Sequence, residues 1–189
     1  RMDPATTTFY RFASVSVVLG AMLAWRGMLP PLRRLMSGSR AWLVLIAGLG
    51  LTGNFAIYQS ALDYIPPGTA QLVMQVAPFL VLLGGVVIYH ERFSRLQVVG
   101  LGLLSVGLVL FFNRRLAEFM GSSSGYLIGT TLILLAAVSW ASCVLAQKQL
   151  LTICSAPSLM LVLYSAGAAL MLPLATLAQI RDLSGEQCI

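Results

Sequence analysis

Charge is scarce in this sequence. Charged residues make up only 10% of the 189 residues, whereas hydrophobic residues make up 58%. The mean hydropathy is accordingly high, at +0.88. A soluble domain of ordinary composition carries about 25% charged residues. Too few charges are present to cover the surface of a water-soluble globule, so the composition predicts a membrane protein.

Acidic residues are especially few, and none lies in the middle of an apolar run. The six are Asp3, Asp63, Glu91, Glu118, Asp182 and Glu186. Proton-driven carriers usually hold an ionisable group near the bilayer midplane. Either such a group lies outside this sequence, or no midplane carboxylate drives the protein. The residues present favour an uncharged or zwitterionic small solute over a strongly charged one.

Nucleophiles and metal ligands are also few. The three cysteines, Cys143, Cys154 and Cys188, form no CxxC pair, and His90 is the one histidine. The sequence contains no HExxH, P-loop or GxSxG motif. It therefore predicts no metal site and no cofactor. An enzyme acting on lipid is disfavoured because no paired carboxylates and no nucleophile–base pair are found.

Long apolar runs make up most of the chain. A helix of about 20 apolar residues crosses roughly 30 Å of hydrocarbon. Six spans are predicted, at about Phe9–Trp25, Ala41–Leu62, Gly68–Tyr89, Leu96–Phe112, Gly125–Ala146 and Leu159–Ile180. A basic loop over Gly27–Arg40, a tight turn at Asp63–Pro67 and a loop over Asn113–Ser124 are expected between them. The predicted fold class is an all-α, polytopic transmembrane helical bundle.

The basic residues lie near span ends, which explains the net charge of +6 without nucleic acid. If the spans alternate in direction, one side holds Arg26, Arg33, Arg34, Arg40, Arg92, Arg95 and Lys148. The opposite side holds Arg1, Arg11, Arg114, Arg115 and Arg181. The short loop between Arg26 and Arg40 is strongly basic, so its side is predicted to be cytoplasmic.

The beginning of the chain suggests a longer plan. The sequence begins with Arg1 rather than Met, and the predicted topology starts it outside the cell, so a preceding helix is expected. The segments beginning at Pro4 and Pro157 also align faintly and are predicted to run in opposite directions. Inverted repeats of this kind are common in secondary transporters.

The hairpin Ala61–Phe112 carries a recognisable motif. It has an AL-x-Y-x-P turn, Pro78 within a helix, and ER-x-S-x-x-Q-x-x-G beginning at Glu91. This pattern resembles the EamA-like family of the drug/metabolite transporter superfamily. Arg11-Phe12 and Ser139-Trp140-Ala141 are similar to two shorter motifs of that family.

The resemblance implies ten helices in two inverted five-helix halves, of which this chain would supply about helices two to seven. Residues 1–113 would be most of the first EamA-like repeat, without its first helix, and residues 125–189 the truncated start of the second. The implied function is an inner-membrane secondary transporter that moves, and often exports, a small metabolite by alternating access.

The expected partners are therefore a small-molecule solute and the lipid bilayer, without nucleic acid; a homodimer is left open. A membrane scaffold or sensor that transports nothing is the alternative.

Polar groups share one face of the third span. At about 100° per residue, this face carries Gln71, Gln75, Pro78, Leu82, Gly85 and Tyr89. The opposite face, expected to contact lipid, carries Val73, Val76, Leu80, Leu83 and Val87. Gln71 and Gln75 either line a substrate path or hydrogen-bond neighbouring helices. Pro78 is either a hinge for alternating access or a static kink.

Two further spans have similar stripes. The second span aligns Ala47, Gly50, Asn54, Tyr58 and Ala61, and the fifth aligns Gly129, Ala136, Trp140, Cys143 and Gln147. Asn54, Tyr58 and Trp140 are therefore candidates for the substrate path. The alternatives are an interhelical hydrogen bond for Asn54, an interfacial anchor for Tyr58 and packing for Trp140.

Two charged residues are candidates for a gate or for the cytoplasmic turn. Arg11 either snorkels outward or faces the cavity as a gate or anion contact. Glu91 is expected to cap the turn or to pair with Arg92 or Arg95, and a proton-carrying role is the alternative. Close helix contacts are expected at the small residues Gly84, Gly85, Gly100, Gly102 and Gly107.

Overall fold

The computed structural model describes residues 4–28, 35–92, 94–120 and 124–172. In these ranges every regular element is a helix. The helices are α1 (Pro4–Trp25), α2 (Ser39–Ala61), α3 (Pro67–Val73), α4 (Val76–Tyr89), α5 (Arg95–Met120), α6 (Ser124–Leu150) and α7 (Ala156–Met171). The predicted all-α class is thereby confirmed.

Four segments are long and apolar enough to cross a membrane: Thr6–Trp25, Arg40–Ala61, Pro67–Tyr89 and Gly125–Leu150. Arg95–Leu110 and Ala156–Met171 are shorter apolar helices. The end of the sixth predicted span, after Leu172, and most of the basic loop, residues 29–34, lie outside the described residues.

The third predicted span is broken between α3 and α4. Pro78 has no N–H to donate to the carbonyl of Met74, one turn earlier. That carbonyl instead accepts a hydrogen bond from the N–H of Ala77 at 2.9 Å, which is a tighter, 3₁₀-type turn. The predicted kink is therefore a local change of winding one turn before the proline.

The break also changes which side chains of this span are buried. Val73 was predicted to face lipid, but it is only 2% exposed and belongs to a core cluster with Ile133 of α6. The single-helix angles used for the prediction do not hold across the break. Beyond it the prediction holds better, because Leu83 and Val87 are exposed.

Helix α5 is longer than predicted and contacts little. The loop prediction for Asn113–Ser124 is wrong over most of its length, because α5 continues to Met120. The residues after Asn113 include Arg, Leu, Ala and Glu, which favour helix. The close contacts predicted for Gly100, Gly102 and Gly107 are not observed, since no atom lies within 4 Å of an added Cβ.

The centre of the bundle is the antiparallel pair α2 and α6, which make the most extensive interhelical contact. The two backbones approach closely where a Cβ added to Gly50 would lie 2.7 Å from the carbonyl oxygen of Ser139. The Ser139 hydroxyl donates a hydrogen bond to the carbonyl of Gly50 at 3.1 Å. Most of both predicted stripes is buried here, namely Ala47, Gly50, Asn54, Ala61, Gly129, Ala136, Cys143 and Gln147.

Helices α1 and α7 form a second antiparallel pair, which α7 joins to α2. Near the start of α1, the ring of Phe12 contacts the rings of Phe55 and Tyr164 at centroid distances of 5.3 and 5.2 Å. At the opposite end, the Ser158 hydroxyl donates to the carbonyl of Met28 at 3.3 Å. The segments from Pro4 and Pro157 thus run in opposite directions, as expected.

Five of the six basic side chains that the structure describes lie at one end of the bundle, the exception being Arg11. This basic end holds Arg26, Arg40, Arg92, Arg95 and Lys148. The Met28–Ser158 contact and the ion pair between Glu91 and Lys148 bring four helix ends together there. The opposite end, called the far end, is marked by the contact of Ile65 with Gly129. This arrangement agrees with alternating spans, and the cytoplasmic location of the basic end remains a prediction.

Candidate functional site

A cavity of about 480 Å³ lies beside the broken span and is called here the polar cavity. It is lined by Arg11, Asn54, Phe55, Tyr58, Gln59, Gln71, Met74, Gln75, Ala77, Pro78 and Trp140. Cavities of about 300–1,000 Å³ are typical of small-molecule sites. The polar cavity therefore has the size of a site for a small metabolite.

The polar cavity unites most of the residues singled out in the sequence. All five substrate-path candidates line it, namely Asn54, Tyr58, Gln71, Gln75 and Trp140. Arg11 and Pro78 line it as well, whereas Glu91 lies elsewhere, at the basic end. Their common location follows from the packing of α2, α6 and the broken span; their functional roles remain predictions.

The polar cavity extends from the middle of the bundle towards the far end. Trp140 and Pro78 lie near the midpoints of their membrane segments, Gly125–Leu150 and Pro67–Tyr89. Tyr58 lies in the last turn of α2, and Arg11 lies in the second turn of α1. Tyr58 and Arg11 are thus in the half of the bundle away from the basic end, whereas Pro78 and Trp140 lie near its middle.

Asn54 makes the interhelical hydrogen bond that was one of its two alternatives, and its role in a substrate path stays a prediction. Its Nδ2 donates a hydrogen bond to the carbonyl oxygen of Ala136 at 2.9 Å, so it links α2 to α6. The side chain is only 6% exposed, yet it also forms part of the cavity wall. The amide therefore helps to hold the cavity wall in place.

The side-chain amides of Gln71 and Gln75 are bound less firmly by the described residues than the amide of Asn54 is. The Tyr58 hydroxyl donates to Oε1 of Gln71 at 3.3 Å, which directs both groups to the cavity. No described residue hydrogen-bonds the side chain of Gln75. Gln75 is only partly buried in the cavity wall, and an amide without a partner is costly in an apolar surrounding. Gln75 is thus available to bind water or a polar solute.

Arg11 is the cation among the residues lining the cavity, and none of these residues is acidic. Its Cζ lies 5.3 Å from the centroid of the Phe55 ring, a cation–π distance. Phe55 in turn packs edge-on against Phe12. The guanidinium is therefore held at the cavity by an aromatic stack, and the local charge favours an anionic group.

Sequence reasoning missed four lining residues, namely Phe55, Gln59, Met74 and Ala77. Gln59 had a signal, because it is one of the few polar residues in α2 and follows Tyr58 directly. Phe55 had no such signal in the sequence, because its place in the site depends on a contact with Arg11, which lies on another helix.

The predicted partners of Glu91 are wrong. The carboxylate pairs with Lys148, at the end of α6, rather than with Arg92 or Arg95. Packing of α4 against α6 brings the two charges together, and this packing cannot be read from neighbouring residues in the sequence. Beside the pair, the Tyr89 hydroxyl donates to the carbonyl of Leu145 at 2.6 Å.

Cysteine and metal chemistry have little support in the described part of the chain. Burial raises the pKa of the Cys154 thiol, which lies between α6 and α7, so the reactive thiolate is disfavoured. No group of three or more His, Cys, Asp or Glu among the described residues could hold a metal ion.

Residues 1–113 match the model of the EamA-like transporter family. The chain belongs to this family. It is 38% identical over 188 residues to the uncharacterized inner membrane transporter YhbE of Escherichia coli K12, covering 98% of this chain and 58% of that protein. It is 36% identical over 183 residues to an uncharacterized transporter of Haemophilus influenzae, covering 97% and 59%.

A further relative carries a more specific name. This EamA-like chain is 33% identical over 129 residues to a probable amino-acid metabolite efflux pump of Salmonella typhimurium, covering 66% of the chain and 42% of the pump. No solved structure matches the chain. The chain thus spans 58% of the length of the first of these relatives.

The relatives and the helices agree on location. YhbE is named as an inner membrane protein, and four helical segments of this EamA-like chain are long and apolar enough to cross a bilayer. The chain is a multi-pass protein of the inner membrane, and its family is one of transporters rather than enzymes.

Proposed function

We propose that this EamA-like chain is part of a secondary carrier that moves a small metabolite by alternating access, with export as the direction. The polar cavity carries the proposal, because it collects amide, hydroxyl and indole groups inside an apolar bundle. Polar groups at membrane depth are costly and usually serve a function. Residues 1–113 and 125–189 would belong to successive repeats of the whole carrier.

The broken span supports movement at the cavity. Pro78 lines the polar cavity, and the backbone changes winding at Met74, one turn before it. Discontinuous helices at the bilayer midplane are a recurrent feature of transporter binding sites. We infer that α4 tilts about this break when the carrier changes state.

The charge of the cavity indicates the class of solute. One guanidinium, several amides and no carboxylate line it. A zwitterion fits this set, with its anionic group at Arg11, its cationic group donating to an amide oxygen such as that of Gln75, and its uncharged portion against Phe55 and Trp140. The name of the Salmonella relative, a probable amino-acid metabolite efflux pump, agrees with this solute class.

The function is tested by measuring solute flux with the full-length protein in proteoliposomes. Radiolabelled zwitterionic, anionic, cationic and uncharged small solutes are compared. We expect saturable flux for zwitterionic solutes and little for cations. If correctly folded protein transports none of these solutes, the alternative hypothesis of a membrane scaffold or sensor is favoured.

Replacing Arg11 with glutamine tests the anion contact. Since a hydrogen bond to a charged group contributes about 1.5–3 kcal/mol, we expect the KM for a zwitterionic solute to rise about 10- to 100-fold. The measurement is the concentration dependence of flux. Arg26→Gln is the matched control, because Arg26 lies at the basic end and outside the cavity. An unchanged KM in Arg11→Gln would contradict the assignment.

A further inference from the structure

A set of contacts joins α4 to α6 at the basic end. The Glu91 carboxylate pairs with the ammonium group of Lys148. The hydroxyl of Tyr89 donates to the carbonyl oxygen of Leu145 at 2.6 Å, and Nζ of Lys148 lies 5.7 Å from the centroid of the Tyr89 ring. These four residues, Tyr89, Glu91, Leu145 and Lys148, are called the latch below.

The backbone presents Glu91 to its partner. The chain leaves α4 through His90, which has the left-handed values φ 53° and ψ 34°. The N–H of Glu91 then returns to the carbonyl of Gly85 at 3.3 Å, which closes the end of the helix. The Glu91 carboxylate also lies against Gly85, since an added Cβ there would be 3.0 Å from its Oε2. The turn is therefore compact and holds its carboxylate beside α6.

The latch lies closer to the basic end than the polar cavity along both α4 and α6. Near mid-depth, α4 and α6 contribute Pro78 and Trp140 to the wall of the polar cavity. Towards the basic end they touch, with Leu145 packed directly on Gly84 and the latch beyond it. The two helices are thus in contact at the basic end and share the wall of the polar cavity at mid-depth, whereas farther out it is α3 that packs on α6, through Val73 and Ile133.

We propose that the latch is a releasable gate, which holds the basic end of the carrier shut while the polar cavity opens to the far end. This inference rests on the proposed transport function. In the other state of the cycle, the part of α4 between Pro78 and the basic end separates from α6. The Glu91–Lys148 and Tyr89–Leu145 contacts are then lost together. Lys148 and Tyr89 are then gating residues that touch no solute.

The contacts of the latch suit repeated breaking and forming. The side chains of Lys148 and Glu91 are 49% and 45% exposed, so water replaces the partner when the pair separates. The α2–α6 contact has no such freedom, because Gly50 and Ser139 meet through backbone atoms in the middle of the bundle. Movement of α4 over a fixed α2–α6 pair follows from this difference.

The test measures how fast a cysteine in the polar cavity is labelled from each side of the membrane, a measurement that needs no solute. The full-length protein has its cysteines replaced and receives Met74→Cys, a reporter at the cavity wall. A membrane-impermeant maleimide is added to inverted or to right-side-out vesicles, so that it reaches the reporter from the basic or from the far end. We expect faster labelling from the far end in the parent.

Breaking the latch should shift this balance. Glu91→Gln and Lys148→Met are each expected to raise labelling from the basic end about two- to fivefold and to slow it from the far end. The exchanged pair, Glu91→Lys with Lys148→Glu, should return the parent rates. Arg92→Gln removes a charge from the same turn but not from the latch, so it should change neither rate.

Tyr89→Phe gives a second and milder variant, since it removes one hydroxyl, and it should also raise labelling from the basic end. Unchanged labelling in Tyr89→Phe and in the charge variants, with normal insertion and flux, would overturn the latch. Altered labelling in a protein that carries no solute would instead overturn the proposed function.

Discussion

Replacing Gly50 with valine is expected to unfold the centre of the bundle. Even the first atom of a new side chain would lie 2.7 Å from the carbonyl oxygen of Ser139. Backbone cannot yield as a flexible side chain can, so α2 and α6 must separate. Overpacking of a core costs about 1–3 kcal/mol and occasionally more, and a clash with backbone places Gly50→Val at the upper end of this range. Thermal unfolding of the detergent-purified full-length protein, followed by size exclusion, measures the loss.

An alanine pair on the same helix controls for helix propensity. An added Cβ at Gly48 has Ala166 as its nearest neighbour, at an ordinary 3.9 Å. Alanine favours helix over glycine by about 1 kcal/mol, so Gly48→Ala should leave stability unchanged or raise it. Gly50→Ala should lower stability. Equal melting temperatures for the two variants would show that the close approach of α2 and α6 is not required.

Replacing Gln75 with leucine is expected to remove most of the flux and to leave the fold intact. The Gln75 amide lines the polar cavity and has no hydrogen-bond partner among the described residues. Its loss therefore leaves no protein group unsatisfied, but it removes a group that binds the solute. Losing about 1.4–3 kcal/mol of solute binding would lower kcat/KM about 10- to 100-fold. Initial rates of flux in proteoliposomes measure this effect.

Gln149→Leu is the matched control for Gln75→Leu. Gln149 is an exposed glutamine in the last turn of α6, outside the polar cavity, so its replacement should preserve both flux and stability. The scaffold alternative makes the opposite prediction for the cavity, because Gln71, Gln75 and Asn54 could then all become leucine without loss of function. Parental flux in Gln75→Leu would count against a role for this amide in solute binding.

Much of the candidate site could be predicted because helical periodicity is a local property. The angle between successive residues put Asn54 and Tyr58 on one stripe of α2, and these two residues line the polar cavity together with Gln71 of the broken span. The same rule failed at Val73, where the backbone leaves regular helix before Pro78. Periodicity predicts a face only as far as the helix continues unbroken.

The interaction partners of individual side chains were less predictable than the helix faces on which those side chains lie. Glu91 was expected to pair within its own turn and pairs with Lys148 instead, and the contact of Arg11 with Phe55 had no signal at all. An ion pair or a cation–π contact depends on distances between helices. Those distances are determined by small residues such as Gly50 and Gly84, whose closeness to a neighbour appears only after packing.

Hydrophobicity and length were therefore sufficient to predict the membrane and most of the helices, because a bilayer requires long apolar segments with internally bonded backbones. The EamA-like family was indicated by the resemblance of the Ala61–Phe112 motif. The spacing of the few polar residues along each helix also predicted that they lie on one face of that helix. Which stripes face one another, where the cavity opens and which charge meets Glu91 depended on how the helices pack. Packing is a property of pairs of surfaces distant in the sequence, and no single segment contains it.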